Sequence, residues 1–271
     1  MKFEKLHDGG MIPVLGLGTW RMGGDMTPSH VHDRRELEGI KTALELGYTH
    51  IDTAEIYGSG HAEELIGQAI RGADRSRLFL TSKVWSANLH YEGVLRALEG
   101  SLRRLGTSYL DMYLIHWPNP GIPLEETFRA LNELVEQGKV RYIGVSNFDL
   151  EQLKRAKALA RVPLATNQVH YSLLHREPEK NGVLRFCQDN DILLTAYRPL
   201  EKGEVLDHPV VREIARRHQA TPAQVAIKWL IDQPKVITIP KAVSRQHLEE
   251  NLGALSVELT AEDLARLDAL G

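Results

Sequence analysis

The segment Leu78-Phe79-Leu80-Thr81-Ser82-Lys83, together with residues 93–105 that follow it, shows the unit from which the fold is predicted. The first segment is a short apolar run that predicts a buried strand. The second has apolar residues at intervals of three and four, which predicts an amphipathic helix. The same alternation recurs along the chain. We predict strands at residues 14–17, 49–52, 78–83, 110–116, 140–145, 164–169, 192–196 and 236–239. We predict helices at residues 63–70, 93–105, 124–135, 150–159, 183–189, 210–217 and 248–255.

Strands that alternate with helices predict parallel strands joined by right-handed crossovers. Eight such units of about 30 residues need roughly 240 residues, the usual size of a closed barrel, and the chain has 271. We therefore predict an α/β protein, a (β/α)₈ TIM barrel that forms one domain over residues 1–271. The alternative is an open doubly wound sheet, but Gly16-Leu17-Gly18-Thr19-Trp20-Arg21 has Arg21 where the dinucleotide fingerprint needs a third glycine.

Additional elements are predicted at the two ends of the chain. Residues 1–12, centred on Asp8-Gly9-Gly10, predict an N-terminal β-hairpin across one mouth of the barrel. Thr221-Pro222-Ala223-Gln224 is a capping box with proline at the first helical position, so an extra helix is predicted at about 222–232. Thr260 with Asp263 caps another helix near the C-terminus.

Composition narrows the class of protein. Lys and Arg total 33 against 36 Asp and Glu, a net charge of −3, which argues against nucleic acid or an anionic membrane as the main partner. The single cysteine, Cys187, excludes an intramolecular disulfide. The N-terminus has no apolar signal segment, and no apolar run reaches the roughly 20 residues of a membrane span. We expect a cytoplasmic monomer. We also expect no metal, because the histidines, among them His30, His32, His61 and His218, show no familiar ligand spacing.

Polar residues follow seven consecutive predicted strands, where a barrel carries its active site. They are Asp52, Lys83, His116, Ser146-Asn147, Gln168, Tyr197 and Lys241. A buried, unpaired Lys83 would be costly, so Asp52 is its expected partner. Tyr57 follows Asp52 by five residues, and a nearby ammonium can lower the pKa of a phenol by about 1–3 units. With His116 donating a hydrogen bond to a carbonyl oxygen, this set predicts a device that protonates a carbonyl while another group supplies a hydride.

Three segments carry a more specific likeness: Gly47-Tyr48-Thr49-His50-Ile51-Asp52-Thr53-Ala54-Glu55-Ile56-Tyr57-Gly58, Tyr113-Leu114-Ile115-His116-Trp117-Pro118 and Gly144-Val145-Ser146-Asn147-Phe148. With these segments, in this order, the chain closely resembles the aldo-keto reductases. The resemblance covers nearly the whole chain and extends from residues 15–20 to residues 239–241. The resemblance places the catalytic tetrad of that family on Asp52, Tyr57, Lys83 and His116. It implies reduction of aldehydes or ketones with NADPH.

The resemblance also implies where the cofactor lies. Ser146, Asn147 and Gln168 would hold the nicotinamide carboxamide, and Tyr197 would stack on the ring. Lys241, Ser244 and the helix start at Arg245 would receive the adenosine 2′-phosphate, because helix N-termini accept anions. The remaining expected cofactor contacts are Thr19, Trp20, Asp52, Pro199, Leu200, His247, and Glu250 and Asn251 at the adenine.

Three positions depart from the family pattern. Arg198 stands where serine often follows the stacking tyrosine, and we expect it to reach the pyrophosphate or to lie on solvated surface. Ala242 replaces a serine after Lys241. His247 stands where an arginine usually meets the 2′-phosphate, with Arg245 two residues earlier. NADPH is the expected cofactor, with NADH as the alternative.

Structural interpretations stand beside these functional ones. Lys83 with Asp52 could be a structural ion pair, Tyr197 could serve packing, and Ser146-Asn147 could be an N-cap. Trp20, Trp85 and Trp117 each follow a strand end and are predicted to wall the substrate pocket with Tyr57 and His116, whereas Trp229 is predicted to pack in the core.

The main functional hypothesis is an NADPH-dependent carbonyl reductase. One alternative is an aldolase-type barrel in which Lys83 forms a Schiff base. The other is a nucleotide-sensing regulatory subunit, which some members of this family are. An open mouth with three tryptophans suits small or aromatic aldehydes, 2-oxoaldehydes and ketoesters.

Overall fold

A parallel sheet that closes on itself forms the centre of the structure, a computed structural model that describes residues 1–271. A separate antiparallel pair precedes it. The strands are β1 (Phe3–Lys5), β2 (Met11–Pro13), β3 (Leu17–Gly18), β4 (His50–Asp52), β5 (Phe79–Val84), β6 (Leu110–Ile115), β7 (Val140–Ser146), β8 (Thr166–His170), β9 (Leu193–Tyr197) and β10 (Val236–Thr238). β3 to β10 pair in chain order, all parallel. The sheet closes where Gly16 N donates to Thr238 O at 2.9 Å and Thr238 N donates to Val14 O at 2.8 Å. The predicted (β/α)₈ barrel is confirmed.

Helices connect the strands and cover the outside of the barrel. They are α1 (Asp33–Glu45), α2 (His61–Ala69), α3 (Tyr91–Leu105), α4 (Leu124–Glu136), α5 (Leu150–Leu159), α6 (Glu177–Lys180), α7 (Val183–Asp189), α8 (Pro209–Arg217), α9 (Pro222–Asp232), α10 (Arg245–Gly253) and α11 (Ala261–Asp268). Both predicted capping boxes near the C-terminus are present, at Thr221 with Gln224 and at Thr260 with Asp263. None of the helices combines the length and the apolar character needed to cross a membrane.

Three helix assignments differ from the sequence prediction. The four-residue helix α6 was not predicted. α1 was not predicted, because its apolar face is narrow: only Ile40 and Ala43 among its larger apolar side chains are buried. The helix that covers the barrel between β9 and β10 is α9, and the additional helix is α8, the reverse of the prediction. α9, predicted as the extra helix, packs against β10 and buries Trp229, whereas α8 packs against α9. The reason is composition, since α9 is apolar on most of its surface and α8 ends in Arg216 and Arg217.

The N-terminal hairpin covers one mouth of the barrel. β1 and β2 pair antiparallel, with Phe3 opposite Pro13. Tyr142, near the start of β7, donates its hydroxyl hydrogen bond to Asp8, with both carboxylate oxygens at 2.8 Å. Lys235, just before β10, donates to the carbonyl oxygen of Lys5 at 3.4 Å. The predicted hairpin is therefore confirmed and lies at the amino ends of the strands, which leaves the carboxyl ends open.

Candidate active site

A cavity of about 290 Å³ opens at the carboxyl ends of the barrel strands. Most of the expected site residues line it. They are Thr19, Trp20, Asp52, Tyr57, Trp85, His116, Trp117, Ser146, Asn147, Gln168, Tyr197, Arg198, Pro199 and Lys241. Lys83 is fully buried and reaches this group through its contact with Asp52. Residues that lie at eight different strand ends in the sequence thus meet at one mouth.

Sequence reasoning missed several lining residues. Gly18, Asp25, Met26, Ile56 and Ile239 also border the cavity. Gly18 and Ile239 lie at strand ends, so the strand-end rule that found the polar residues could have found them too. Asp25 and Met26 belong to the loop between β3 and α1, where no periodic pattern marks a residue that turns inward.

Lys83 is held as a cation by neighbouring oxygens. Its Nζ donates to Asp52 Oδ1 at 2.6 Å and to the carbonyl oxygen of Thr53 at 2.7 Å. The other carboxylate oxygen, Asp52 Oδ2, accepts a hydrogen bond from Gln168 Nε2 at 2.8 Å. Burial acts to lower the pKa of Lys83, but the charge of Asp52 and the proximity of Tyr57 outweigh it and raise that pKa. The lysine is a fixed positive charge beneath the cavity.

Tyr57 lies in the turn that follows β4, directly above this charge. Lys83 Nζ is 5.2 Å from the centre of the Tyr57 ring. Gly58 next to it has φ of 55°, and a Cβ there would lie 2.2 Å from Gly23 O, so only glycine fits the turn. Burial raises the pKa of Tyr57, and the charge of Lys83 opposes that rise without cancelling it. The prediction that the pKa of Tyr57 is lowered is therefore wrong, and the phenol keeps its proton.

His116 presents a neutral imidazole beside the phenol. Its ring meets the Tyr57 ring edge to face, with centroids 5.6 Å apart, and packs the same way against Trp85 at 5.4 Å. Burial, assisted by the charge of Lys83, lowers the pKa of His116 to about 3. Its Nδ1 is buried without a hydrogen-bond partner. A neutral imidazole retains one N–H, which can donate to an oxygen in the cavity.

A network of polar side chains at the ends of β7, β8 and β9 forms another wall of the cavity. Ser146 Oγ donates to the carbonyl oxygen of Gln168 at 2.8 Å. Asn147 Nδ2 donates to the carbonyl oxygen of His116 at 3.0 Å, and Asn147 Oδ1 accepts from the Tyr197 hydroxyl at 2.9 Å. The Tyr197 ring also stacks on His170, with centroids 5.5 Å apart and planes at 11°. The network fixes a flat aromatic face beside a set of amide groups.

The N-cap interpretation of Ser146-Asn147 is wrong. Helix α5 is capped by Asp149, whose carboxylate accepts from Gln152 N at 2.8 Å in a complete capping box. Asn147 instead has a φ of 61°, a left-handed conformation that asparagine tolerates better than most residues. Its side chain is thereby turned towards Tyr197 rather than towards the helix.

Two cations on the rim have no carboxylate partner. The guanidinium of Arg198, which follows β9, lies 5.0 Å from the centre of the Trp20 ring and makes no ion pair. Lys241, which follows the neighbouring strand β10, makes none either. Unpaired cations beside a flat aromatic face suit a ligand that carries phosphates and a planar ring. The residues present therefore fit the dinucleotide that the family resemblance implied.

Apart from Lys241, the expected adenosine contacts lie outside the cavity, on α10 and at its N-cap. Ser244 caps this helix and accepts from His247 N at 3.3 Å. Arg245 is occupied by carboxylates, Glu45 at 2.9 Å and Glu249 at 3.4 Å. Glu250 is half-buried and Asn251 is buried. Leu200 also lies beyond the cavity wall, at the start of a short 3₁₀ segment.

Comparison with known proteins agrees with this architecture. The sequence model of the Aldo/keto reductase family matches residues 14–271. Methylglyoxal reductase YeaE of Escherichia coli is 40% identical over 266 residues, which cover 95% of this chain and 90% of that protein.

Solved structures show the same likeness. The thermostable aldo-keto reductase Tm1743, crystallised with the inhibitor epalrestat, superposes with a TM-score of 0.98 at 48% identity and full coverage of both chains. An aldo/keto reductase from Klebsiella pneumoniae, crystallised with NADP and acetate, gives a TM-score of 0.88 at 40% identity, covering 98% of this chain and 93% of that one. The family model thus matches the chain from the residues just before β3 to the last residue, and the solved relatives superpose on the same barrel. This chain therefore belongs to the aldo/keto reductase family and is an oxidoreductase of that kind.

Proposed function

We propose that this chain reduces aldehydes or ketones to alcohols with NADPH, and that Tyr57 is the proton donor. One observation carries the proposal: Tyr57 and His116 border the same cavity above Lys83, whose charge Asp52 neutralises at 2.6 Å. A buried cation beneath a phenol and a neutral imidazole beside it are the parts that protonation of a carbonyl requires.

The cofactor has a place in this cavity. NADPH, when bound, would supply the hydride to the carbonyl carbon of the substrate. Ser146, Asn147 and Gln168 would bind its carboxamide, and Tyr197 would support the ring. Arg198 would contact the pyrophosphate. The NADP complex of the Klebsiella pneumoniae relative supports NADPH as the cofactor.

The far end of the cofactor would lie along α10. Lys241 and the N-terminal backbone amides of α10, with Ser244 and His247, would face the 2′-phosphate, where the helix dipole favours negative charge. Arg245 would have to leave Glu45 to join them. Glu250 and Asn251 would then border the adenine.

The chain's own groups perform the proton transfer. The Tyr57 hydroxyl donates a hydrogen bond to the carbonyl oxygen and releases its proton as negative charge develops there. Lys83 stabilises the phenolate that remains, because an ammonium near a phenolate favours the charged form. His116, neutral throughout the physiological pH range, donates a second hydrogen bond that orients the carbonyl.

The substrate class follows from the size and the lining of the cavity. Its volume of about 290 Å³ lies at the low end for ligand sites. Trp20, Trp85 and Trp117 border it, and Trp117 is 44% exposed. We infer small or aromatic aldehydes and 2-oxoaldehydes as substrates. The name of the Escherichia coli relative, methylglyoxal reductase, supports that class.

No observation favours the two alternative functions. A Schiff base needs a neutral, accessible amine, whereas Lys83 is fully buried and kept protonated by Asp52. A regulatory subunit would bind NADPH without turning over aldehydes, and the experiment below separates it from an enzyme.

The test compares wild type with Tyr57→Phe, following nicotinamide absorbance with NADPH and either methylglyoxal or an aromatic aldehyde. We expect kcat to fall at least about 100-fold in the variant, the size of a lost general acid, with the NADPH Kd unchanged. Tyr91→Phe is the matched control, since Tyr91 contacts Glu133 and Arg129 away from the cavity. A Tyr57→Phe enzyme that keeps most of its rate would exclude Tyr57 as the acid, and a wild type that binds NADPH but reduces neither aldehyde would count against a reductase of this substrate class.

A further inference from the structure

Two histidines and an aspartate from separate parts of the chain meet beside the active-site mouth. His30 lies in the loop between β3 and α1, Asp33 is the first residue of α1, and His61 is the first residue of α2. One ligand atom from each lies within 4.8 Å of the others. His30 Nδ1 is 2.9 Å from Asp33 Oδ2, and His61 Nε2 is 2.8 Å from Asp33 Oδ1. The sequence could not show this, because His61 is 28 residues away from Asp33.

A second carboxylate orients the buried histidine. His61 Nδ1 is 2.8 Å from Glu64 Oε2, so the two ring nitrogens of His61 face two different carboxylates. Metal-bound histidines in proteins commonly donate their second ring N–H to a carboxylate in this manner, which fixes the tautomer and the ring orientation. The side chain of His61 is only 6% exposed, so its ring is held in place before any ion arrives.

We propose that His30 Nδ1, one oxygen of Asp33 and His61 Nε2 form a binding site for one divalent transition-metal ion, of which zinc is the representative. Two imidazoles and a carboxylate suit zinc and its neighbours in the first transition row. Three protein ligands leave a fourth position for water. The proposal departs from the expectation of no metal and does not depend on the proposed reductase activity.

The three ligand atoms need only small shifts to surround one metal ion. Ligand atoms around a tetrahedral zinc with bonds of about 2.1 Å lie roughly 3.4 Å apart. The His30 side chain is 72% exposed and can rotate, whereas His61 is fixed. The rings already approach to 4.2 Å between centroids, at 64° to each other. Rotation of His30 can adjust the position of its Nδ1, and a small movement of the Asp33 carboxylate, now 2.8 Å from His61 Nε2, makes room for the ion.

The position of the site predicts that a bound ion would restrain a loop that borders the cavity. The loop between β3 and α1 carries Asp25 and Met26 into the wall of the cavity. Gly23 of the same loop packs on the start of α2, where a Cβ would lie 2.8 Å from Ala62 N. An ion held by His30 and His61 would fasten the end of this loop to both helix starts and so limit its movement.

The test measures zinc binding by titration calorimetry on chelator-treated, desalted protein. We expect wild type to bind one zinc ion per chain and His30→Ala to bind at least about 10-fold more weakly, since a ligand is lost. His32→Ala is the matched control, because His32 is an exposed histidine two residues away that is outside the cluster, and its zinc affinity should stay within about twofold of wild type. Glu64→Gln should weaken binding by about 10-fold through the orientation of His61.

Cobalt(II) gives a second readout. Cobalt in the wild-type site should show intense visible absorption bands of a tetrahedral complex, which His30→Ala should lose. The exposed His30 is chosen because replacement of the buried His61 risks misfolding. Equal zinc affinities of His30→Ala and His32→Ala, or the absence of saturable one-to-one binding in wild type, would overturn the proposal.

Discussion

At the scale of single residues, the site depends on two charges that are both removed from water. The side chains of Lys83 and Asp52 are 0% and 3% exposed. Their charges cancel, while the backbone of Thr53 accepts a further hydrogen bond from Lys83 and Gln168 donates one to Asp52. Loss of one partner leaves the other as an isolated buried charge, which is far more costly than loss of the pair.

We therefore predict that Lys83→Met destabilises the protein by about 3–5 kcal/mol, because it leaves Asp52 charged and buried. The double variant Asp52→Asn, Lys83→Met removes both charges and should recover most of that loss. Urea unfolding of the wild type, both single variants and the double variant measures the coupling between the two sites. A double variant as unstable as the sum of the single ones would show that the pair is not coupled.

Single residues of the site also show which of its properties can be predicted from the sequence. Strand ends and spacing correctly predict that Asp52, Tyr57 and His116 meet at one mouth of the barrel. The predicted direction of the Tyr57 pKa shift is wrong, because the sequence shows that Lys83 is near but not how completely the phenol is removed from water. Partners and motifs can be predicted from a sequence, whereas the balance between charge and desolvation depends on the packing around the groups.

At the scale of helices and strands, the sequence correctly predicts those features that depend only on residues close together in the chain. The capping boxes at Thr221 and Thr260 place the starts of α9 and α11 correctly, since each box involves only four residues. Which of α8 and α9 covers the barrel was predicted wrongly, because both have an apolar face and only the packing against β10 separates them. Helix α1 was missed because charged residues surround its short buried face.

Asp263, at the start of α11, provides a prediction at this scale. Burial acts to raise the pKa of Asp263, but hydrogen bonds from Thr260 and a contact with His218 at 2.7 Å outweigh it and lower that pKa to about 2. A carboxyl group whose pKa is lower in the folded state stabilises the fold above its unfolded pKa. The contribution is lost as the pH falls through the folded value.

Asp263→Asn should therefore lower the free energy of unfolding near neutral pH by an amount on the order of 1–2 kcal/mol. The difference from wild type should shrink between about pH 4 and pH 2, where Asp263 itself takes up a proton. Urea unfolding over a pH series measures this. Glu262→Gln is the control, because the Glu262 side chain is 72% exposed. A difference that stays constant with pH would contradict a role for the charge of Asp263.

At the scale of the whole molecule, the two mouths of the barrel have separate tasks. The cavity with Tyr57 and His116 lies at the carboxyl ends of the strands. The β1–β2 hairpin covers the amino ends, where Asp8 accepts the hydrogen bond of Tyr142. In barrels of this type, the amino-terminal face contributes stability and the carboxyl-terminal face contributes chemistry. A change at the hairpin should thus affect unfolding without affecting turnover.

The contact between Tyr142 and Asp8 tests this separation. Tyr142→Phe removes a hydrogen bond to a charged acceptor, and a partly buried bond of this kind contributes about 1 kcal/mol. In a double-mutant cycle with Asp8→Ala, that energy should appear as coupling between the two positions. We expect kcat and KM for aldehyde reduction to remain at wild-type values in all four proteins, because the hairpin and the cavity lie at opposite ends of the strands. A cycle with measurable coupling and a changed KM would mean that the hairpin transmits its state through the barrel to the cavity, and the two mouths would then have to be treated as one coupled unit.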